Sequence, residues 1–299
     1  LLRAEAEMGH GVCDIEEGNL EDARRHLEAS SDAFRACGAR RQRIQVLNNL
    51  VIIEAGRGHF RHAQEIARRI TGEVGEPSFY SEQKRAVETS DRAFRDHPLV
   101  VQALNVLGTD PDRKGHGLSH ITKVAVDAGA IILVEREQCD APDRVFRLVA
   151  LAHVAGVLHD IKREEKDHAR KGAKEAGRLL LDFDLGEGER SAIVDSITNH
   201  EAFRPVLPLN HPDWQLLSDA LYDADKFRWG PDNFSEMLWD MVSRRNVPLS
   251  AVLGRFLKGM EGVGRIRDTF RSNTGRHYGP DFIDRGMEIG RRLYVELTR

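Results

Sequence analysis

The chain has 299 residues, 40% of them apolar and 31% charged, with a formal net charge of −4. That length allows one large domain or two ordinary ones, and the apolar share supports a real core. The near-balanced, slightly acidic charge excludes the basic stripe expected of a nucleic-acid binder, and no apolar run reaches the ~18 residues needed to cross a bilayer.

Three cysteines, Cys13, Cys37 and Cys139, are scattered and show no CxxC spacing. They predict neither a disulfide framework nor a cysteine metal site, and they fit a reducing compartment. No segment reads as a signal peptide or lipidation motif. The expected location is therefore the cytoplasm.

Residues 1–75 read as helices. The stretch "EEGNLEDARRHLEAS" (16–30) recurs loosely as "EAGRGHFRHAQEIAR" (54–68), with Gly18 over Gly58, Leu20 over Phe60 and Ala23 over Ala63. A Gly turn, a bulky residue and then Ala at packing spacing make a helix-hairpin repeat. The segment resembles tetratricopeptide repeats. Two such units are marginal alone, so the segment is expected to pack on the rest of the chain or on further repeats, and it is the expected site for a protein partner.

The Gly- and Pro-containing stretch "TGEVGEPSFYSEQ" (71–83) reads as a boundary, giving a repeat segment over 1–75 and a second domain over 76–299. A helix follows to about Leu107, broken at "DHP" (96–98), and "GTDPDRKGHG" (108–117) is a loop. Beyond it, apolar residues recur at helical spacing: Val124, Ala128, Ile131 and Ile132 share one face, and Ile193, Ile197 and His200 share another. Strand-like alternation is scarce, so the predicted fold class is all-α.

The stretch "LAHVAGVLHDIKREE" (151–165) carries the chemistry. From Val145 to Ile161 the predicted helix is apolar or small on nearly every face, as befits a helix inside the fold. A carboxylate there is costly unless something pairs with it. A metal ion compensates most strongly, because it takes carboxylate and neutral imidazole alike as ligands. His159 and Asp160 are therefore ligand candidates. Further candidates lie near helix ends or on inward faces: His120 opening "SHITKVAVDAGAIILV", His168 opening "HARKGAKEA", His200 closing "SAIVDSITNH", and Asp225 in "LYDADKFRW". Six such N and O donors can hold two divalent ions in a helical cage. His153 reads instead as a core histidine, and His116 as part of a loop.

At these residues the chain resembles the HD-domain superfamily of metal-dependent phosphohydrolases, over about 115–234, through "GHGLSHITKVA", "LAHVAGVLHDI", "DHARKGAKEA", "SITNHEAF" and "LYDADKFRWG". The resemblance implies an HD-type helical bundle. It assigns His120, His159, Asp160 and Asp225 as core metal ligands, with His168 and His200 added as in two-metal members. The "HYGP" at 277–280 does not match the GYP signature, so cyclic dinucleotide hydrolysis is not implied.

The implied activity is hydrolysis of a phosphate ester such as a nucleotide, with one or two ions of Mn, Fe, Co, Ni or Zn. Asp160 would act with the metal, Glu164 as a base, and Lys123 beside the reacting phosphate. Lys162, Arg163, Lys226, Arg228 and Arg276 are the expected grips on phosphate oxygens. Two other readings use the same residues. One is a signalling or partner-binding module with a nucleotide-sensing or structural metal site, and the other is a di-iron oxygenase. Neither nucleic acid nor membrane is an expected partner.

Overall fold

The computed structural model describes residues 1–17, 19–56, 67, 69–107, 118–239 and 249–297. Residues 57–66 of the second repeat copy and the 108–117 loop, with His59, His62 and His116, lie outside them. Among the described residues the regular structure is helical and there is no strand, so the chain is all-α.

The helices are α1 (Leu2–Glu16), α2 (Leu20–Ala36), α3 (Arg40–Gly56), α4 (Ser78–Glu82), α5 (Lys84–Asp96), α6 (Pro98–Leu107), α7 (Leu118–Glu135), α8 (Pro142–Leu158), α9 (His168–Leu179), α10 (Glu187–Asn199), α11 (Pro212–Phe227), α12 (Leu249–Ile266) and α13 (Asn273–Leu297). None is long and apolar enough to cross a membrane.

The chain divides into two compact units. The first comprises Leu1–Glu76, Gly230–Gly264 and Ile283–Arg299, and the second Pro77–Trp229 and Arg265–Phe282. The sequence expectation set 1–75 against 76–299. The first unit also takes in residues 230–264 and 283–299, for a reason visible in its core. Leu27, Phe34, Leu47 and Leu50 from α2 and α3 share one buried cluster with Phe234, Trp239, Phe256, Ile289 and Leu293. Each such side chain contributes about 1.5–3 kcal/mol by leaving water, and two repeat units could not bury them alone. Gly11 lets α1 approach α2, because a Cβ there would stand 2.6 Å from Leu27 Cγ.

In the second unit α7 and α8 form the centre. α11 packs on both, α5 also packs on both, α10 lies on α8 and α11, and α9 lies on α10. Two glycines let α7 and α8 touch. A Cβ on Gly156 would stand 2.6 Å from Ala125 Cα, and one on Gly129 would stand 2.4 Å from His153 Nε2. Since 125 pairs with 156 and 129 with 153, the helices run antiparallel. The start of α7 therefore meets the end of α8, which is where His120 and His159 sit. His153 is the core histidine expected: it is buried, and its Nε2 lies 2.9 Å from Ser90 Oγ.

Candidate metal centre

Six side chains from five chain segments converge in the second unit. His120 comes from the first turn of α7, and His159 and Asp160 directly follow α8. His168 is the first residue of α9, His200 directly follows α10, and Asp225 lies in the last turn of α11. Asp167, in the left-handed region at φ 58°, turns the chain into α9 and so presents His168. Aspartate tolerates that conformation better than most residues.

The six form two groups of three, His120 with His159 and Asp225, and Asp160 with His168 and His200. Asp160 faces both. Its Oδ2 is 3.4 Å from His159 Nε2 and 3.7 Å from His120 Nε2, and its Oδ1 is 3.6 Å from His200 Nε2 and 3.7 Å from His168 Nε2. Asp225 Oδ1 lies 3.5 Å from His120 Nε2 and 3.7 Å from His159 Nε2. His120 Nε2 and His159 Nε2 are 3.3 Å apart.

Donor atoms about 2.1 Å from one ion are about 3.4 Å apart at the tetrahedral angle. The separations here match that spacing. They are too long for direct hydrogen bonds between the imidazoles and Asp160, and Asp160 Oδ1 is buried with no hydrogen-bond partner. A buried carboxylate oxygen left so is costly, and an ion satisfies it. The residues present therefore fit a divalent transition-metal site.

Two of these histidines are held by the same device. His159 Nδ1 is 2.7 Å from Gly156 O, and His200 Nδ1 is 2.6 Å from Ile197 O. A carbonyl only accepts, so each Nδ1–H donates, and Nε2 keeps a lone pair aimed at the cluster. Each bond also reaches a carbonyl in the last turn of a helix.

Burial and charge set the protonation states. Burial holds His120 down to about 3, helped by the neighbouring His159. Burial opposes the charged form of His159, but Asp160 and Asp225 outweigh it and raise its pKa. Burial lowers His168 despite Asp160. For Asp160, burial works upward, yet His159, His200 and Arg163 hold the carboxyl well below its ordinary range. Asp225 is also held low against its burial, first by Lys226 and then by His159 and His120.

The structure sorts the other predicted residues. Arg163 is ion-paired with Asp160 and Lys226 with Asp225, so both cations touch the donor set. Lys123 is half-buried on α7, one turn beyond His120, and Glu164 is exposed in the turn after Asp160. Lys162 pairs with Glu165 at 3.6 Å. Arg276 is exposed in the first turn of α13, and with Arg271 it acts on Asp219. Arg228 is turned elsewhere, onto Asp127 and the Tyr80 hydroxyl at 2.6 Å, in a buried structural network.

Sequence reasoning missed the support behind the ligands. Arg271 lies in the stretch "FRSNTGRHYGPDF" (270–282). Its guanidinium lies 3.4 Å over the Tyr222 ring and donates to Asn199 O at 2.9 Å, next to His200. Asp223 accepts the backbone N–H groups of Arg271 and Ser272, both at 2.8 Å. The loop is thereby tied to α11 two residues before Asp225. These partners stand 48 and 49 residues apart in the chain, and no local pattern announces them.

Comparison with protein-family models, curated proteins and solved structures found no match.

Proposed function

We propose that the chain is a metal-dependent phosphohydrolase of the HD type, acting on a phosphate ester such as a nucleotide. The observation that carries this reading is the disposition of Asp160, one oxygen toward His120 and His159 and the other toward His168 and His200. A carboxylate between two ligand groups is the arrangement a two-ion site needs. The resemblance of the surrounding motifs to the HD superfamily supplies the reaction class.

Divalent ions held by this donor set would lower the pKa of water toward neutrality and offset charge on the phosphoryl oxygens. The chain's residues prepare the site for that chemistry. His159 and His200 are fully packed, so bulk water is kept from their side of the cluster. Their Nδ1–H bonds fix both rings before any ligand arrives. Arg163 and Lys226 place cationic heads at the rim of the donor set, where an entering phosphate can share their N–H groups. On the repeat pattern alone, residues 1–75 are assigned the binding of a protein partner.

The test is hydrolysis of a panel of aryl phosphates and nucleotides, with Mn, Fe, Co, Ni or Zn supplied in turn. Metal-stimulated turnover that disappears in the His159→Ala/Asp160→Ala protein is the expected result. No turnover with any metal across the panel would count against a hydrolase and favour a sensing or structural site.

A further inference from the structure

A cavity of about 360 Å³ lies within the first unit, between α3 and the C-terminal part of α13. Its wall is cationic. Arg41 comes from α3, and Arg291 and Arg292 come from α13, against one carboxylate among the described residues, that of Glu288. Glu288 satisfies Arg292, whose Nε donates to Oε1 at 2.5 Å, and its Oε2 stands 4.0 Å from Arg291 Nη1. Arg41 has no carboxylate partner among the described residues. Among the described residues, one carboxylate thus faces three guanidiniums.

Asn48 gives a second, independent sign. It lines the cavity beside the arginines and is only 2% exposed. An amide in a cationic wall can meet an incoming ligand as both donor and acceptor.

We propose that this cavity binds a small ligand bearing an oxyanion, phosphate or carboxylate. Guanidinium groups match the paired oxygens of either group. The volume lies in the range of small-molecule sites, about 300–1,000 Å³, and Ile44 offers apolar ground beside the charged rim. No residue is shared with the Asp160 cluster, so the proposal stands apart from the metal reading.

Calorimetric titration of the full-length protein with pyrophosphate and with succinate tests it. Saturable binding of one or both probes is expected, weakened about tenfold or more in the Arg41→Gln/Arg291→Gln protein and retained in Asp160→Ala. Both arginines are exposed, so the double variant keeps its fold, which circular dichroism verifies. Tighter pyrophosphate binding identifies a phosphate ligand, and tighter succinate binding a carboxylate. Absence of binding by either probe at millimolar concentration, or binding unchanged in the double variant, overturns the proposal.

Discussion

His120 Nε2 and His159 Nε2 face each other across 3.3 Å, from the start of one helix and the end of its antiparallel neighbour. His159 donates its Nδ1–H to Gly156 O, so its Nε2 is a lone pair when the ring is neutral. Asp160 and Asp225 bring two anionic oxygens to the same point. Burial keeps His120 near 3, while the carboxylates raise His159 against burial, so the pair shares at most one proton. That proton is what a divalent ion displaces on binding.

The first prediction concerns the helix contact behind this pair. In Gly156→Ala the new Cβ meets Ala125 Cα at 2.6 Å and Ala125 N at 2.8 Å, backbone atoms that cannot rotate away. α7 and α8 must separate, carrying His120 from His159. The expected cost is about 1–3 kcal/mol of stability, read as a lower urea midpoint, together with a lower metal content. An unchanged midpoint would contradict the packing described.

A second prediction uses acid. His153 is held down to about 3, first by burial and then by His97. Its unfolded pKa is 6.5, so between pH 6.5 and about 3 the unfolded chain binds a proton that the folded chain refuses. The stability tied to this residue is complete above pH 6.5 and falls as pH drops through that window, by on the order of 5 kcal/mol at most. His153→Gln keeps an N–H for Ser90 and removes the titration. Denaturation of metal-free proteins at several pH values should show a shallower acid loss in the variant. Equal slopes in the two proteins would count against a neutral buried His153.

Four of the six donors were legible because each broke a local rule: His159 and Asp160 end an apolar helix, and His200 and Asp225 lie on inward faces, while His120 and His168 stand near helix starts. The all-α class followed from helical periodicity throughout. Lys226 and Arg228 stand one and three residues after Asp225 and read alike, yet they separate in space. Lys226 turns to Asp225, and Arg228 turns to Asp127, 101 residues away. Only the packing of α11 on α7 distinguishes them. For the same reason Phe234, Trp239 and Phe256 could not be assigned to the core of the N-terminal helices, since no short-range pattern links them.

A third prediction follows from that separation. Arg228→Gln leaves Asp127 buried with its main cationic partner gone, and should destabilise the protein by about 3–5 kcal/mol. Replacing both, as Arg228→Met/Asp127→Leu, should recover much of the loss. Chemical denaturation of the two variants checks it. A double variant no more stable than the single one would contradict a simple buried pair.

A carboxylate shared by two ligand groups makes the metal count depend on Asp160. Elemental analysis of the purified, reconstituted protein beside its Asp160→Ala and His168→Ala variants reads that dependence. About two equivalents of transition metal per chain are expected in the parent protein, about one in His168→Ala, and neither retained in Asp160→Ala. No metal in the parent protein after reconstitution, or a full complement in Asp160→Ala, would contradict it.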